Sequence, residues 1–249
     1  MKVGDYLSEI IYGKNTVVEY LKSGKNPQEI WVTKQVLSNE VIINSIVNNK
    51  DIVSHIVDRK VIDNIVQGNH QGVAVKIAAY DYYSIDNMLN DAKKQNEVPF
   101  LVILDGLEDT HNLGAILRTA DSCGVHGIII PKNRSVSLNA TVAKMSAGAI
   151  NYVKVAKVTN INNTIRQLKK LGIWIIGSDI KTDIDYRKMD ATVPVAIVIG
   201  SEGKGISRLV KENCDLLVKL PMKGQISSLN ASVAASVILY EVFNQRCPL

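Results

Sequence analysis

The 249-residue sequence is poor in the features that mark several whole classes of protein. Its three cysteines, Cys123, Cys214 and Cys247, lie far apart and without CxxC spacing. That excludes a disulfide framework or a cysteine zinc site, and reduced thiols are expected. No apolar run approaches the roughly 20 residues needed to cross a bilayer. No basic start followed by an apolar segment is present, so a cytoplasmic address is expected and a membrane partner is not. Repeats and low-complexity tracts are absent too.

What is present is a hydrophobic fraction of 46%, enough for one large core or two modest ones. The formal charge of +5 is unevenly spread: Lys plus Arg against Asp plus Glu is 11 against 12 over residues 1–98, and 18 against 12 over residues 99–249. A mildly basic C-terminal part admits a nucleic-acid partner without demanding one. Local runs such as Lys169-Lys170 read as solvated helix faces.

From Tyr12 to Ala78 short helices and short strands alternate. "GKNTVVEYLKSG" reads as a helix closed by Gly24, "EIWVT" as a strand, "NEVIINSIVNN" as a helix, and "IVSHIVD" and "GVAVKIA" as strands. This is a small α/β unit. "AYDYYSIDNMLNDAKKQNEVP" then reads as a linker carrying one amphipathic helix on Ile85, Met88, Leu89 and Ala92. The expected division is residues 1–80, a linker at 81–98, and residues 99–249.

Past Pro99 the strand candidates are "FLVIL", "HGIII", "YVKVA", "IWIIG", "VAIVI" and "LLVKL". Continuous Val/Ile/Leu runs are buried on both faces, which predicts a parallel sheet covered by helices. "SDIKTDIDYRKMDATVP" interrupts the alternation and reads as a surface loop with at most a short helix.

"AIVIGSEGKGIS", residues 196–207, raises the question of a phosphate loop. Counting from Gly200 the second glycine falls correctly at Gly205, but the next two residues are Ile206 and Ser207, so the lysine of a P-loop is missing from its place and Lys204 precedes Gly205 instead. The dinucleotide fingerprint fails as well, because Arg208 stands where its third glycine belongs. A plain strand-to-helix loop with Ser207 as N-cap remains open at this level.

Two other stretches place polar residues at strand ends, where parallel α/β sheets bind their ligands. After "FLVIL", Asn112 opens a helix whose apolar stripe is Leu113, Ile116, Leu117, Ala120 and Cys123, with Gly114, Arg118 and Asp121 on its other side. Arg118 is free either to meet a ligand or to pair with Asp121. After "LLVKL", the loop "PMKGQIS" leads to Ser228 and Asn230 at the start of a long helix. Ser227 or Ser228 as a simple N-cap is the alternative there. The small residues Ala231, Ser232, Ala234, Ala235 and Ser236 allow close packing within a core or against another subunit.

"NLGAILRTA", "IVIGSEGKGIS" and "LPMKGQISSLNASVAASVILYE" resemble, in the same order, the three motifs of the SpoU family of AdoMet-dependent RNA ribose 2'-O-methyltransferases, in the SPOUT superfamily. "IYGKNTVVEYL" and "GNHQGVAV" resemble the RNA substrate-binding domain of bacterial 23S rRNA (guanosine-2'-O-)methyltransferases. The resemblance implies an α/β SPOUT-type parallel-sheet domain threaded into a trefoil knot, which no spacing argument predicts, preceded by a small α/β RNA-binding domain. It implies S-adenosyl-L-methionine as cofactor and no metal. Ile199, Gly200, Leu220, Met222 and Leu229 are carried over as cofactor-binding residues, and Asn112, Arg118, Glu202, Ser228 and Asn230 as catalytic ones.

The resemblance further implies a homodimer in which Arg118 reaches the cofactor of the partner subunit. Arg118 is proposed as the base in that family, but a guanidinium with a pKa above roughly 12 suits phosphate anchoring and oxyanion stabilisation better. Ser228 or Glu202 is then expected to relay the proton, with Asn112 and Asn230 orienting the ribose or fixing loop geometry. The expected substrate is a guanosine of 23S rRNA. A tRNA guanosine-2'-O-methyltransferase and a silent RNA-binding or ribosome-assembly protein are the alternatives. Because residues 1–98 carry a net charge of −1, RNA contact there is expected to use a local patch such as Lys14, Lys22, Lys25 and Lys34, or to rely on the basic C-terminal domain. His111 is assigned no role.

Overall fold

The computed structural model describes residues 8–247, which divide into two compact units. The first unit contains residues up to 81 together with Leu138–Tyr152. Its elements are β1 (Ser8–Tyr12), α1 (Lys14–Lys22), β2 (Glu29–Val32), α2 (Lys34–Asn39), α3 (Val41–Val47), β3 (Val53–Ile56), α4 (Arg59–Ile65) and β4 (Val73–Ala78). The four strands form a mixed sheet in the order β1-β4-β2-β3, antiparallel except for the β2–β3 pair. Ile11, Ile30, Val32, Val73 and Val75 are fully buried, so the alternation read from the sequence corresponds to a sheet with a packed face. β1 and α4 went unread because each is short. The helix read over residues 39–49 is α3, and the unread α2 precedes it, the two separated at Glu40 by an extended backbone (φ −124°, ψ 100°).

The second unit comprises Tyr82–Ser137 and the chain from Val153 onward. In chain order the next elements are α5 (Ile85–Gln95), β5 (Phe100–Asp105), α6 (Thr110–Ser122), β6 (Gly127–Pro131), α7 (Ala140–Met145), β7 (Val155–Val158), α8 (Ile161–Lys170), β8 (Trp174–Ser178), β9 (Val195–Gly200), α9 (Arg208–Asn213), β10 (Leu216–Val218) and α10 (Ala231–Arg246). Of these, α7 belongs to the first unit, inside the 138–152 segment that the sequence reading leaves in the C-terminal part.

The six strands β10-β8-β9-β5-β6-β7 run parallel throughout, the α/β arrangement expected from the unbroken apolar runs. Residues 179–194, between β8 and β9, contain only a single 3-10 turn, Tyr186–Lys188, as the sequence predicts. Among the described residues no helix is long and apolar enough to cross a membrane.

The expected linker at 81–98 requires correction. Ser84 caps α5 through a capping box with Asn87. Met88 and Ala92 are buried, Met88 within the second unit's core cluster with Leu101, Ile103 and Ile129 among others, and Ile85 and Leu89 pack against that cluster. A Cβ on Gly127 would stand 2.2 Å from the Met88 sulfur. The apolar stripe that marked the helix in the sequence is therefore a packed face of the second unit's core.

Candidate active site

All six strands of the second unit end on the same edge, because all are parallel. The chain leaves β5 for β6 on one side and places β8, β9 and β10 on the other, so the strand order switches direction between β9 and β5. Ligands of open parallel sheets sit at such a switch. Asp105 and Gly200, the last residues of these two strands, are register partners.

The loop after β9 folds back sharply. Gly205 N–H donates to the Ser201 carbonyl at 2.8 Å and Lys204 N–H to the Glu202 carbonyl at 2.9 Å, with Gly203 at φ +76° and Gly205 at φ +65°. This return leaves Gly200 no room for a side chain: a Cβ there would lie 2.0 Å from the Gly205 carbonyl carbon and 2.2 Å from the Ile206 nitrogen. Asp105 fastens the far end of the loop, its Oδ2 accepting the Ser207 N–H at 2.7 Å. Ser207 does stand at the start of α9, but its side chain makes no capping bond.

Asn112 lies in the first turn of α6, which Asp109 caps through the His111 N–H at 3.0 Å. Only 4% exposed, its Nδ2 donates to Glu202 Oε1 at 3.0 Å. Asn230 caps α10, the place the sequence reading also offered to Ser227 or Ser228: its Oδ1 accepts the N–H groups of Ser232 at 2.9 Å and Val233 at 3.3 Å. Because Oδ1 is committed to these N–H donors, Nδ2 must point the other way, and it donates to the same Glu202 oxygen. Two amides from two helix starts thus grip one carboxylate, leaving Glu202 Oε2 without a partner among the described residues. α6 and α10 also meet directly, Thr119 Oγ1 standing 2.9 Å from Ser236 Oγ.

The structure brings Asn112, Glu202 and Asn230 together. It does not bond Arg118 or Ser228 to them. Arg118 is exposed two turns along α6, and its guanidinium has no ion pair or side-chain hydrogen bond among the described residues. Ser228 lies in the wholly exposed stretch 221–230.

Of the residues carried over for the cofactor, Ile199 is buried with only its backbone available at the strand end, and Leu220 is half-buried past β10. Met222 and Leu229 are exposed apolar side chains on the loop that leads to Asn230. A backbone return that admits only glycine at 200 lets a ligand approach main-chain groups without a Cβ in the way. It lacks the lysine that a triphosphate needs, since Ile206 stands in that place. Among the described residues no group of His, Cys, Asp or Glu is placed to hold a metal ion.

Asp105 and Asp109, which shape the two loops, went unread, since a lone aspartate at a strand end or a helix start is common. Their signal is position alone: Asp105 directly follows the strand run at 100–104, and Asp109 lies three residues before Asn112.

The candidate site is thus one edge of a parallel α/β sheet, built from strand-end loops and two helix starts. Residues 99–240 match the SpoU rRNA methylase family, and residues 10–83 match the RNA 2'-O ribose methyltransferase substrate-binding domain. The Bacillus subtilis (strain 168) protein YacO, assigned to the TrmH family of tRNA/rRNA methyltransferases, is 48% identical over 242 residues, covering 97% of each chain. The chain belongs to the SpoU/TrmH family of RNA methyltransferases.

Among solved structures, the SpoU methyltransferase AviRb from Streptomyces viridochromogenes, in complex with the cofactor AdoMet, superposes with a TM-score of 0.80 at 22% identity, over 96% of this chain and 90% of that one. A TrmH/SpoU tRNA-modifying enzyme of A. aeolicus gives a TM-score of 0.56 at 28% identity, over 64% of this chain and 84% of that one.

Proposed function

We propose that this protein methylates a ribose 2'-hydroxyl of RNA from S-adenosyl-L-methionine, at a guanosine of 23S rRNA, as a cytoplasmic homodimer whose second unit is knotted as a trefoil. The observation that carries the reading is the convergence of Asn112, Glu202 and Asn230 at the β5/β9 switch, beside a loop that tolerates only glycine at 200.

The residues that would hold the cofactor are Ile199, Gly200, Leu220, Met222 and Leu229, mainly through the backbone groups of their loops. When bound, AdoMet supplies a methyl group on a positively charged sulfur, open to attack by an oxygen nucleophile. The chain's own task is to align the 2'-hydroxyl, accept its proton and hold the neighbouring phosphate. Glu202, locked through Oε1 by two amides, has Oε2 available as the proton acceptor. Ser228 lies two residues from Asn230 and serves as an alternative relay.

Arg118 carries a planar fork of donors that is free to take the substrate phosphate and the charge developing on the 2'-oxygen. In a homodimer this exposed guanidinium serves the partner subunit's site. The first unit, residues 1–80 in the division made from sequence, docks the RNA.

The rRNA assignment is supported by the share of chain that each neighbour matches. The A. aeolicus tRNA-modifying enzyme leaves about a third of this chain without a counterpart, consistent with an added RNA-docking unit for a larger substrate.

Turnover of Arg118 variants tests the mechanism. Removing one donor that stabilises developing oxyanion charge costs about 10²–10³-fold in kcat, so Arg118→Ala is expected to lose at least 100-fold with AdoMet affinity intact. Arg118→Lys is expected to stay well below a tenth of wild type; near-full activity in it would refute the need for a planar bidentate group.

A further inference from the structure

The first unit holds a cavity of about 540 Å³ that the methyl-transfer chemistry does not use. One turn on its wall is tightly fixed: His70 is fully buried and its Nδ1 accepts the Gly72 N–H at 3.0 Å. With Nδ1 an acceptor, the ring proton sits on Nε2, which faces Asp63 Oδ1 at 2.9 Å. The histidine thereby fixes the turn, and Gln71 is held at φ 51°, a left-handed conformation few residues with a side chain adopt. Gly72, at φ +84°, packs so tightly that a Cβ would lie 2.6 Å from Thr33 Oγ1. Gln71 Oε1 then accepts the backbone N–H of Lys14 at 2.9 Å, tying this turn to the start of α1.

The charges on the cavity wall are of two kinds. Lys14 is neutralised by Glu40 at 2.9 Å. Lys34, Arg59 and Asp58 also line the cavity, are exposed, and make no ion pair or side-chain hydrogen bond among the described residues. Two available cations, one available carboxylate and the apolar side chains of Val36 and Val57 therefore share one wall. A bare phosphate would leave the valines unused and meet the carboxylate unfavourably. A nucleotide uses all three: its phosphate pairs with guanidinium and ammonium, its base ring covers the valines, and its amino or imino hydrogens find the carboxylate. The volume lies within the range of pockets that hold one small ligand.

We propose that this cavity seats one unpaired nucleotide of the RNA substrate, its phosphate on Lys34 and Arg59 and its base edge toward Asp58, with His70 and Gln71 as positioning residues. The proposal rests on the reading of the chain as an RNA-directed enzyme, and it names where and how the first unit grips that RNA. An unpaired nucleotide is required because only a splayed base offers its edge to a protein wall.

The test uses the full-length protein with total deproteinised RNA from cells lacking it. Ultraviolet crosslinking followed by peptide mass mapping is expected to place nucleotides on residues 33–40, 57–59 or 70–72. Lys34→Ala/Arg59→Ala, shown to be folded by thermal melting, is expected to raise the KM for RNA about tenfold with kcat unchanged. It should also lower the salt dependence of binding by about 0.7 per lost phosphate contact. Asp58→Asn is expected to alter base preference while leaving the salt dependence as in wild type.

Crosslinks confined to residues 99–249 with unchanged RNA affinity in the double variant would overturn the proposal. So would GMP or AMP binding here at millimolar concentration while RNA binding ignores the variants, which would assign the cavity to a free nucleotide. Crosslinks in the cavity of a protein that neither binds AdoMet nor methylates any RNA would sink the methyltransferase reading and leave this one standing.

Discussion

Glu202 receives an amide N–H from Asn112 and another from Asn230, and the second of these is oriented by its own duty as the cap of α10. One side chain thus couples the first turn of α10 to the loop after β9, so the helix cannot fray without releasing the carboxylate. Gly200 is constrained more severely, because backbone rather than a movable side chain occupies the place of its Cβ. Gly200→Ala is expected to destabilise the fold by about 1–3 kcal/mol, as overpacking does, and to weaken AdoMet binding at least tenfold in calorimetry. An alanine variant that binds AdoMet like wild type would show that the loop return plays no part in the cofactor site.

At this scale the sequence was informative where residues departed from what folding requires. Asn112, Glu202 and Asn230 stood out through their motifs, and the structure bonds them to one another. Arg118 and Ser228 stood out equally, yet they make no bond to that group, because both project from exposed backbone with nothing in the described chain to hold them. Asp105 carried no motif, and its bond to the Ser207 N–H spans 102 residues, a distance no local pattern encodes.

Secondary elements were legible in proportion to their burial. The runs at 100–104 and 195–199 became the two central strands, with nearly every side chain buried. "YVKVA" was read too early: β7 begins at Val155, since Tyr152 is exposed and belongs to the first unit with the rest of 138–152. Residues Ser8–Tyr12, partly exposed along an edge strand, gave no clear alternation. The helix α5 was found by its period, but whether its apolar face belonged to a linker or a core depended on partners distant in sequence.

One element junction makes stability depend on pH. His126, just before β6, accepts the Phe100 N–H at Nδ1 (3.1 Å) and places Nε2 3.1 Å from Glu97. Burial pushes this imidazole below its ordinary value, against the opposing pull of Glu97. The unfolded chain, with a histidine pKa near ~6.5, therefore binds a proton more readily than the folded one. Its contribution to stability is complete above that value and is lost as pH falls below it, towards the lower folded-state pKa. The melting temperature is expected to fall more steeply between pH 7 and pH 5.5 in wild type than in His126→Asn, whose amide oxygen can still accept the Phe100 N–H. Parallel curves would contradict this assignment.

At the scale of the whole molecule, α10 buries Ala231, Ala235, Ile238, Leu239 and Val242, yet leaves Val233 48% and Tyr240 47% exposed. Ile226, on the loop before it, is 73% exposed. Apolar side chains of this size on a helix and its leading loop suit a subunit interface. Sedimentation at micromolar concentration is expected to give the mass of a dimer; a monomer would contradict the proposed sharing of Arg118 between subunits. The parallel sheet was legible from its apolar runs alone, whereas the membership of 138–152 in the first unit was not, because that exchange is decided by packing between segments far apart in the chain.

The most direct measurement of the central claim is methyl transfer from labelled AdoMet to rRNA and tRNA prepared from cells lacking this protein, with mapping of the modified nucleotide. The account predicts a single 2'-O-methylguanosine in the large-subunit rRNA, absent with Arg118→Ala. Transfer to a base rather than a ribose, or no transfer to any RNA by protein that fails to bind AdoMet, would contradict it.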